Sequence, residues 1–514
     1  MRKNLSLRFC LIALVMTLLL TVTACQNTPA TTGSTTGTTG PSGSTTTAAE
    51  TTKALDPYEL QIVLPAAERQ DTPLIEAEMN KITQAEINAT VKFTFISFAN
   101  WLQQTNLMIA GNDKIDILWT SSFFGFTAVA AQNQIIPLNE LIEKHGADIV
   151  DVLGMDTLNS CRIGDDIYGV PSTRDMAADY GVIMRKDLVE KHNIDINAIK
   201  TMDDFTPVFQ TLLEKEPGMV PTGGHSGSNT MVGLIAKGTF DILDNWFGVI
   251  RYDDPAMKVV NLYETPEYKA LCETVNAWYK AGYIAKDAAT STVSAWDEIK
   301  AGKQASVFYS FKPGSDIQEQ ARTGKPMVTI SITKPMQATS NITVMMSSIA
   351  RTTKDADRAM MMINLWYGNK AIVDLFTNGI EGTHYVKTND KIITLPAGVE
   401  SNNASWPTNN YLIGNNFMAY IWEGYPEDLY DQYEDFNGKD AVKSPALGFS
   451  YSADKVKTEV AAVNAILLEY RSGLETGTLD PAVKLPEMIA KMKSAGMDTI
   501  LADKQAQLDA WKNG

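Results

Sequence analysis

The sequence predicts an α/β protein of at least two domains, and three observations lead there. At 514 residues, with 44% hydrophobic and 20% charged side chains, the chain is globular in composition and too long for one ordinary core. Residues 58–120 alternate strand and helix signals in the order β-α-β-α-β, which argues a parallel sheet with helices on both faces. In residues 164–188 two apolar runs flank the polar break Ser172-Thr173-Arg174-Asp175. Such a break suits a chain passing from one domain to another, although a strand–loop–strand within one domain is the simpler reading of the pattern alone.

Taken in order, the chain opens on Arg2, Lys3 and Arg8, then an almost wholly apolar run over residues 9–22, then Thr23-Ala24-Cys25. A short apolar segment with a basic flank and small residues at its end is a secretory signal, not a membrane span. A cysteine directly after the small residues makes a lipobox: Cys25 would be diacylated and become the new N-terminus once residues 1–24 are removed. An ordinary signal peptide with an incidental cysteine is the alternative. Gln26 rather than Asp follows, so nothing marks the protein for inner-membrane retention. Residues 25–56 are rich in Thr, Ser and Gly and lack any apolar period; they read as a flexible tether with a mean reach of roughly 30 Å.

Residues 58–64 alternate apolar side chains and stop at Pro65. Thr72-Pro73 opens a helix to about Ile87, with Leu74, Ile75, Met79 and Ile82 on one face. Residues 91–96 and 115–120 are strands, and residues 101–110 a helix stopped by Gly111. Ligands of such sheets bind beyond the carboxyl ends of the strands. That singles out the loops at 66–69 and 120–123, the latter with Ser121; Trp119 reads as core. Further on, helices are expected near 188–192, 202–213, 266–283, 355–367 and 453–471. Strands are expected at 305–311, 328–332 and 342–349.

The net charge of −16 disfavours nucleic acid and anionic membrane surfaces. Cys161 and Cys272 remain after the signal; they form either a disulfide or two separate buried thiols. The four histidines, at 145, 192, 225 and 384, are scattered, with no metal spacing. The loop at 223–228 narrowly misses the G-x-S-x-G elbow, and Asp435-Phe436-Asn437-Gly438 is a turn with glycine too early for a calcium loop. No catalytic group, metal or cofactor is therefore expected, although sixty acidic residues leave a glycosidase dyad open. What the chain does offer is aromatic residues. Trp246, Trp296, Tyr309, Trp406, Trp422 and Phe449 are candidates to cover the flat faces of sugars, against core packing as the bland alternative for each.

Several motifs in order resemble one family. Tyr168-Gly169-Val170-Pro171, followed by a strand ending Arg185-Lys186-Asp187-Leu188, is similar to the first interlobe crossing of bacterial extracellular solute-binding proteins of ABC importers. Lys200-Thr201-Met202-Asp203-Asp204-Phe205 resembles that family's helix start. Gly379-Ile380-Glu381-Gly382-Thr383-His384-Tyr385, Trp406-Pro407 and Gly414-Asn415-Asn416-Phe417 resemble its lipoprotein branch. So do Gly448-Phe449-Ser450-Tyr451, Ala495-Gly496-Met497-Asp498 and residues 505–511, which fall in that branch's C-terminal extension.

The resemblance implies a two-lobed, periplasmic-binding-protein-like (type II) fold. Each lobe would be a mostly parallel sheet flanked by helices, with the ligand cleft between. The first lobe would take residues 57–175 and 313–385, the second 176–312 and 386–514. It implies a lipid-anchored extracytoplasmic monomer, not an enzyme, that delivers a carbohydrate, an oligosaccharide above all, to an ABC permease. A peptide or other solute, a surface glycoside hydrolase and a ligand-free structural protein are the alternatives. The expected ligand-binding residues are Ser121, Arg174, Asp175, Trp246, Trp296, Tyr309, Glu381, His384, Trp406 and Phe449.

Overall fold

The structure is a computed structural model that describes residues 55–223, 230–401, 403–407 and 411–513. The signal, Cys25, nearly all of the tether and residues 224–228 of the glycine-rich loop lie outside the described residues.

Strand β1 (Tyr58–Pro65) is an interior strand of the first sheet, with Leu60, Ile62, Val63 and Leu64 fully buried. Helix α1 (Thr72–Ile87) has proline in its first turn, where a missing N–H costs nothing. It buries Ile75, Met79, Thr83 and Ile87; Leu74, expected on that face, is exposed. Strand β2 (Ala89–Ile96), helix α2 (Trp101–Ala110) and strand β3 (Ile117–Thr120) complete a parallel set in which Ile62 faces Phe93 on one side and Ile117 on the other. The third strand starts two residues later than expected, because Asp116 turns its carboxylate inward. There it accepts hydrogen bonds from the Tyr58 hydroxyl (2.6 Å), Gln61 N–H (2.8 Å) and the Thr353 hydroxyl (2.6 Å), which is how a buried carboxylate is tolerated.

After strand β4 (Val170–Pro171) the chain crosses into a second sheet through β5 (Asp179–Arg185). Strand β6 (Val220–Gly223), helix α3 (Pro266–Ala281), strand β7 (Gln304–Phe311) and strand β8 (Met327–Ser331) follow, in sheet order β8-β5-β7-β6. Only β7 and β6 are parallel; β5 is antiparallel to both its neighbours. The mostly parallel expectation thus fails in this sheet. The reason is topological: β5 leaves the crossing, while β7 and β8 run back toward it. Strand β9 (Met346–Ile349) returns to the first sheet, whose order is β2-β1-β3-β9-β4.

The lobe boundaries differ from the expected ones at two places. Residues 315–331, expected in the first lobe, stay with the second, where β8 pairs with β5; the chain recrosses beside Ala178 at Met336. After residue 386, Trp406, Leu412 and Ile413 still pack in the first core, and the second core resumes at Ala446. The strand expected over 342–349 begins only at Met346, because Thr339–Ile342 forms a helical turn with Asn341 Oδ1 accepting Ala338 N–H. The expected turn at 435–438 is the end of a helix, Leu429–Asn437.

Each lobe has its own core. The first is built on Trp119, Trp366 and Phe376 and includes helix α4 (Ala356–Gly368); the second is built on Phe205, Phe209, Trp278 and Phe308. Full burial of one such side chain contributes about 1.5–3 kcal/mol. Cys161 lies in the first core and Cys272 in the second, both as free thiols, so the disulfide alternative falls. A small sheet holds β10 (Ile392–Thr394) and β11 (Ile421–Trp422). The chain ends in three helices, α5 (Lys457–Glu475), α6 (Pro481–Ser494) and α7 (Met497–Asn513), packed on the second core. Among the described residues no helix is long and apolar enough to cross a membrane.

Candidate functional site

Two cavities, of about 710 and 500 Å³, open where the strands of both sheets end. Both are lined by Arg174 and Met345, so they are two halves of one groove, divided by these side chains. The divider sits on the crossing segment, and its backbone is held from several directions. Thr173 N–H donates to Gly414 O (2.8 Å), and Thr173 O accepts from Asn416 Nδ2 (3.0 Å). Asn437 brackets the next residues: Nδ2 donates to Arg174 O and Oδ1 accepts from Met176 N–H, each at 2.6 Å. Gly414 has φ +57°, and a Cβ there would lie 2.3 Å from Trp366 O, so only glycine fits.

The Arg174 guanidinium donates to Asn341 O (2.7 Å) and Asp175 O (2.5 Å) and lies 3.3 Å from the Asp175 carboxylate. Asp175 in turn pairs with Lys312 at 3.1 Å, just beyond the end of β7. Lys312 donates to the Tyr411 hydroxyl (3.2 Å) and sits 4.4 Å from the Tyr411 ring centroid. Burial pulls the Lys312 ammonium down, but Asp175, Tyr411 and Tyr433 outweigh it and leave its pKa above the ordinary lysine range. The chain Arg174–Asp175–Lys312 thus stitches the crossing to the second sheet across the groove.

The larger half is a bowl of rings. Its floor is the loop after β1, with Ala66, Ala67 and Arg69, together with Phe98, which is 51% exposed and caps the buried Trp119 edge to face at 6.0 Å. Arg69 lies over the Trp406 ring at 4.8 Å and donates to Pro407 O at 3.0 Å; burial lowers its pKa to about 10. The opposite wall is Tyr411, Tyr420, Trp422, Tyr425, Tyr430 and Tyr433. Trp422, half-buried in the lining, is oriented by its indole N–H, which donates to Asn378 Oδ1 (3.1 Å). Rings that offer apolar faces and hydroxyl edges suit a flat ligand with an apolar face and a hydroxyl rim.

The smaller half is more polar. Ser122 and Phe123, the latter 78% exposed, come from the loop after β3, and Lys237, Asp241, Asp244 and Tyr252 from the second lobe. Burial, and then Arg471, bring the Lys237 ammonium down to about 8. Both carboxylates accept backbone hydrogen bonds, Asp241 from Leu243 N–H (3.0 Å) and the exposed Asp244 from Tyr451 N–H (2.7 Å), and burial raises the pKa of Asp241.

Of the ten expected ligand residues, Arg174 and Asp175 line the groove. Ser121 lies beneath its rim, buried, with its hydroxyl accepting Phe123 N–H. The others stand elsewhere. His384 is buried: Nδ1 accepts Ile380 N–H (2.9 Å), so Nε2 carries the proton and donates to Asp71 (3.0 Å). Glu381 pairs with Lys387 (2.8 Å) beside a separate hollow of about 230 Å³. Trp406 is core, its N–H donating to Phe376 O. Trp296 and Tyr309 meet edge to face at 5.2 Å in a cluster with Ile183 and Val307. Trp246 lies between Lys237 and Arg471, and Phe449 packs on Trp511. The tyrosines of the wall were missed; seven aromatic residues within residues 417–436 were the available signal.

Two α/β lobes, crossed by one polypeptide and separated by a groove at their strand ends, make the two-lobed, type II periplasmic-binding-protein-like fold. Residues 66–293 match the family described as "Bacterial extracellular solute-binding protein", and residues 445–513 match DUF3502, a domain of unknown function. The chain is thus similar to the bacterial extracellular solute-binding proteins over its first lobe and the start of its second, and to that C-terminal domain over its last helices. It is 26% identical over 455 residues to "Carbohydrate ABC transporter substrate-binding protein" of Streptococcus pneumoniae, covering 84% of this chain and 87% of that one. It is 24% identical over 373 residues to "Lipoprotein LipO" of Bacillus subtilis, covering 68% and 66%. The crystal structure of the N-glycan transport solute-binding protein NgtS of S. pneumoniae superposes with a TM-score of 0.78 at 23% identity, over 88% of this chain and 99% of that one. The NgtS structure in complex with Man5GlcNAc gives 0.65 at 23% identity, over 89% and 99%.

Proposed function

We propose that this protein is a lipid-anchored extracytoplasmic receptor that takes an oligosaccharide into the interlobe groove and hands it intact to the permease of an ABC importer. The ring-lined half of the groove carries this reading. A cavity of about 710 Å³ walled by Trp422 and five tyrosines matches the faces and hydroxyls of sugar rings, and its size falls within the range of about 300–1,000 Å³ usual for small-molecule sites. The relatives support the ligand class: one is a carbohydrate ABC transporter substrate-binding protein, and NgtS has been crystallised with Man5GlcNAc. The lipobox around Cys25 supports the anchor, as does the similarity to a lipoprotein of B. subtilis. In this reading the working unit is a monomer. Bound sugar, bridging both lobes, would favour the closed form of the hinge that the permease accepts.

The test is thermal unfolding and calorimetry against a glycan panel that includes Man5GlcNAc, with peptides alongside, followed by chromatography of the recovered ligand. A glycan-dependent rise in melting temperature with the glycan recovered intact is expected. A rise with peptides alone, or shortened sugars, refutes the reading.

A further inference from the structure

The C-terminal domain makes no part of the ring-lined wall, yet its last helix reaches the groove from behind. Lys504, on α7, is fully buried. Its ammonium donates to Leu243 O (3.1 Å), Asn245 Oδ1 (3.0 Å), Asn245 O (3.3 Å) and Gly248 O (2.9 Å), four acceptors on one six-residue loop. That loop has two consecutive non-glycine residues in the left-handed region, Leu243 at φ 44° and Asp244 at φ 72°. L-residues, leucine above all, hold such a conformation only when the surroundings over-determine it. The next helix residue repeats the arrangement on a second loop: Gln505 Oε1 accepts Val259 N–H (2.7 Å) and Nε2 donates to Met257 O (3.3 Å), and Met257 is itself left-handed at φ 56°.

The loop that Lys504 holds faces the groove: its Asp244, with Asp241 and Ile242 just ahead of it, lines the smaller half. Asp244 also binds Tyr451 N–H, and Tyr451 stacks its ring 4.7 Å from the Lys504 ammonium while its hydroxyl donates to Asp503 (3.0 Å). Burial pulls Lys504 toward its neutral form, and Asp244 and Asp241 oppose that. The groove wall, the strained backbone and the buried cation are therefore one connected unit.

We infer that the C-terminal domain is a template for the groove, with Lys504 as the positioning residue that holds loop 241–248 in the shape the ligand meets. This rests on the groove being the ligand site. It gives residues 445–513 a function: they set affinity without touching ligand.

The test uses the full chain with Lys504→Met, which keeps the buried stem, and Asn245→Ala, which removes one acceptor from a partly exposed loop position and leaves the helix intact. Amide hydrogen exchange is read by mass spectrometry on peptides covering 241–248 and, as a control, 58–65 in β1. At least tenfold faster exchange in the loop is expected for Lys504→Met, a smaller acceleration for Asn245→Ala, and no change in the control. The dissociation constant for Man5GlcNAc should rise at least fivefold in Lys504→Met. Unchanged loop exchange in both variants, loop and control accelerating together, or a faster loop with unchanged affinity would each overturn the inference. If the wild type binds neither Man5GlcNAc nor any other glycan, the carbohydrate reading fails, and the loop-to-control exchange ratio still decides this one.

Discussion

Replacing Arg174 by methionine should weaken ligand binding far more than it weakens the fold. Methionine keeps most of the stem and removes the donors to Asn341 O and Asp175 O. Hydrogen bonds from a charged group contribute about 1.5–3 kcal/mol each, but both acceptors border an open groove and can be rehydrated, so the stability cost should stay near 1.5 kcal/mol in total. Asp175 is not orphaned, because Lys312 remains 3.1 Å away. The ligand is affected differently. Arg174 lines both halves of the groove, so an oligosaccharide occupying both must pass it. Losing one charge-assisted hydrogen bond to a sugar hydroxyl corresponds to a rise in Kd of roughly 10- to 150-fold. Calorimetry with Man5GlcNAc at 25 °C measures this, with circular dichroism to show that the variant is folded. A folded Arg174→Met protein whose Kd stays within twofold of the wild type would refute the placement of the divider in the binding site.

Three further outcomes follow from the same geometry. Trp422→Ala removes a ring held in place by Asn378 and should raise the Kd by roughly thirtyfold, about 2 kcal/mol, while the urea midpoint moves little; the reverse pattern would make Trp422 a packing residue. Gly414→Ala drives a Cβ against the Trp366 carbonyl at a positive φ and should cost about 3 kcal/mol or more in urea unfolding, an effect absent at an unstrained glycine. Lys237 has a folded pKa near 8, below its value in the unfolded chain, so its burial destabilises the protein fully below pH 8 and progressively less as pH rises toward about 10.5. Because it borders the groove, Lys237→Met should stabilise the protein at pH 7 by only about 1–2 kcal/mol, with the gain vanishing above pH 10. A gain independent of pH would rule out the ammonium as its source.

Local chemistry was legible wherever the determinant lay within a few residues. The alternation over 58–64, the Pro73 helix start and the break at 172–175 are short-range patterns, and the corresponding elements are present at nearly those positions. Arg174 and Asp175 could be singled out because the flanking motifs, Tyr168-Gly169-Val170-Pro171 and Arg185-Lys186-Asp187-Leu188, resemble those of a family's interlobe crossing; the polar break alone fits a loop within one domain equally well. The wall tyrosines could not be told from core by type. Trp406 and Trp422 look alike in sequence, yet one donates its N–H inside the first core and the other lines the groove.

The sequence by itself determined the α/β class and the order of the elements, because each depends on hydrophobic period and turn chemistry, and its contiguous motifs pointed to the crossing through their resemblance to a family. Only the tertiary structure decided where residues 315–331 pack, which aromatic rings face the groove, and that a lysine at position 504 holds a loop at 243–248. Those outcomes depend on contacts between residues as much as 261 positions apart, and no local pattern encodes which distant partner a side chain will meet.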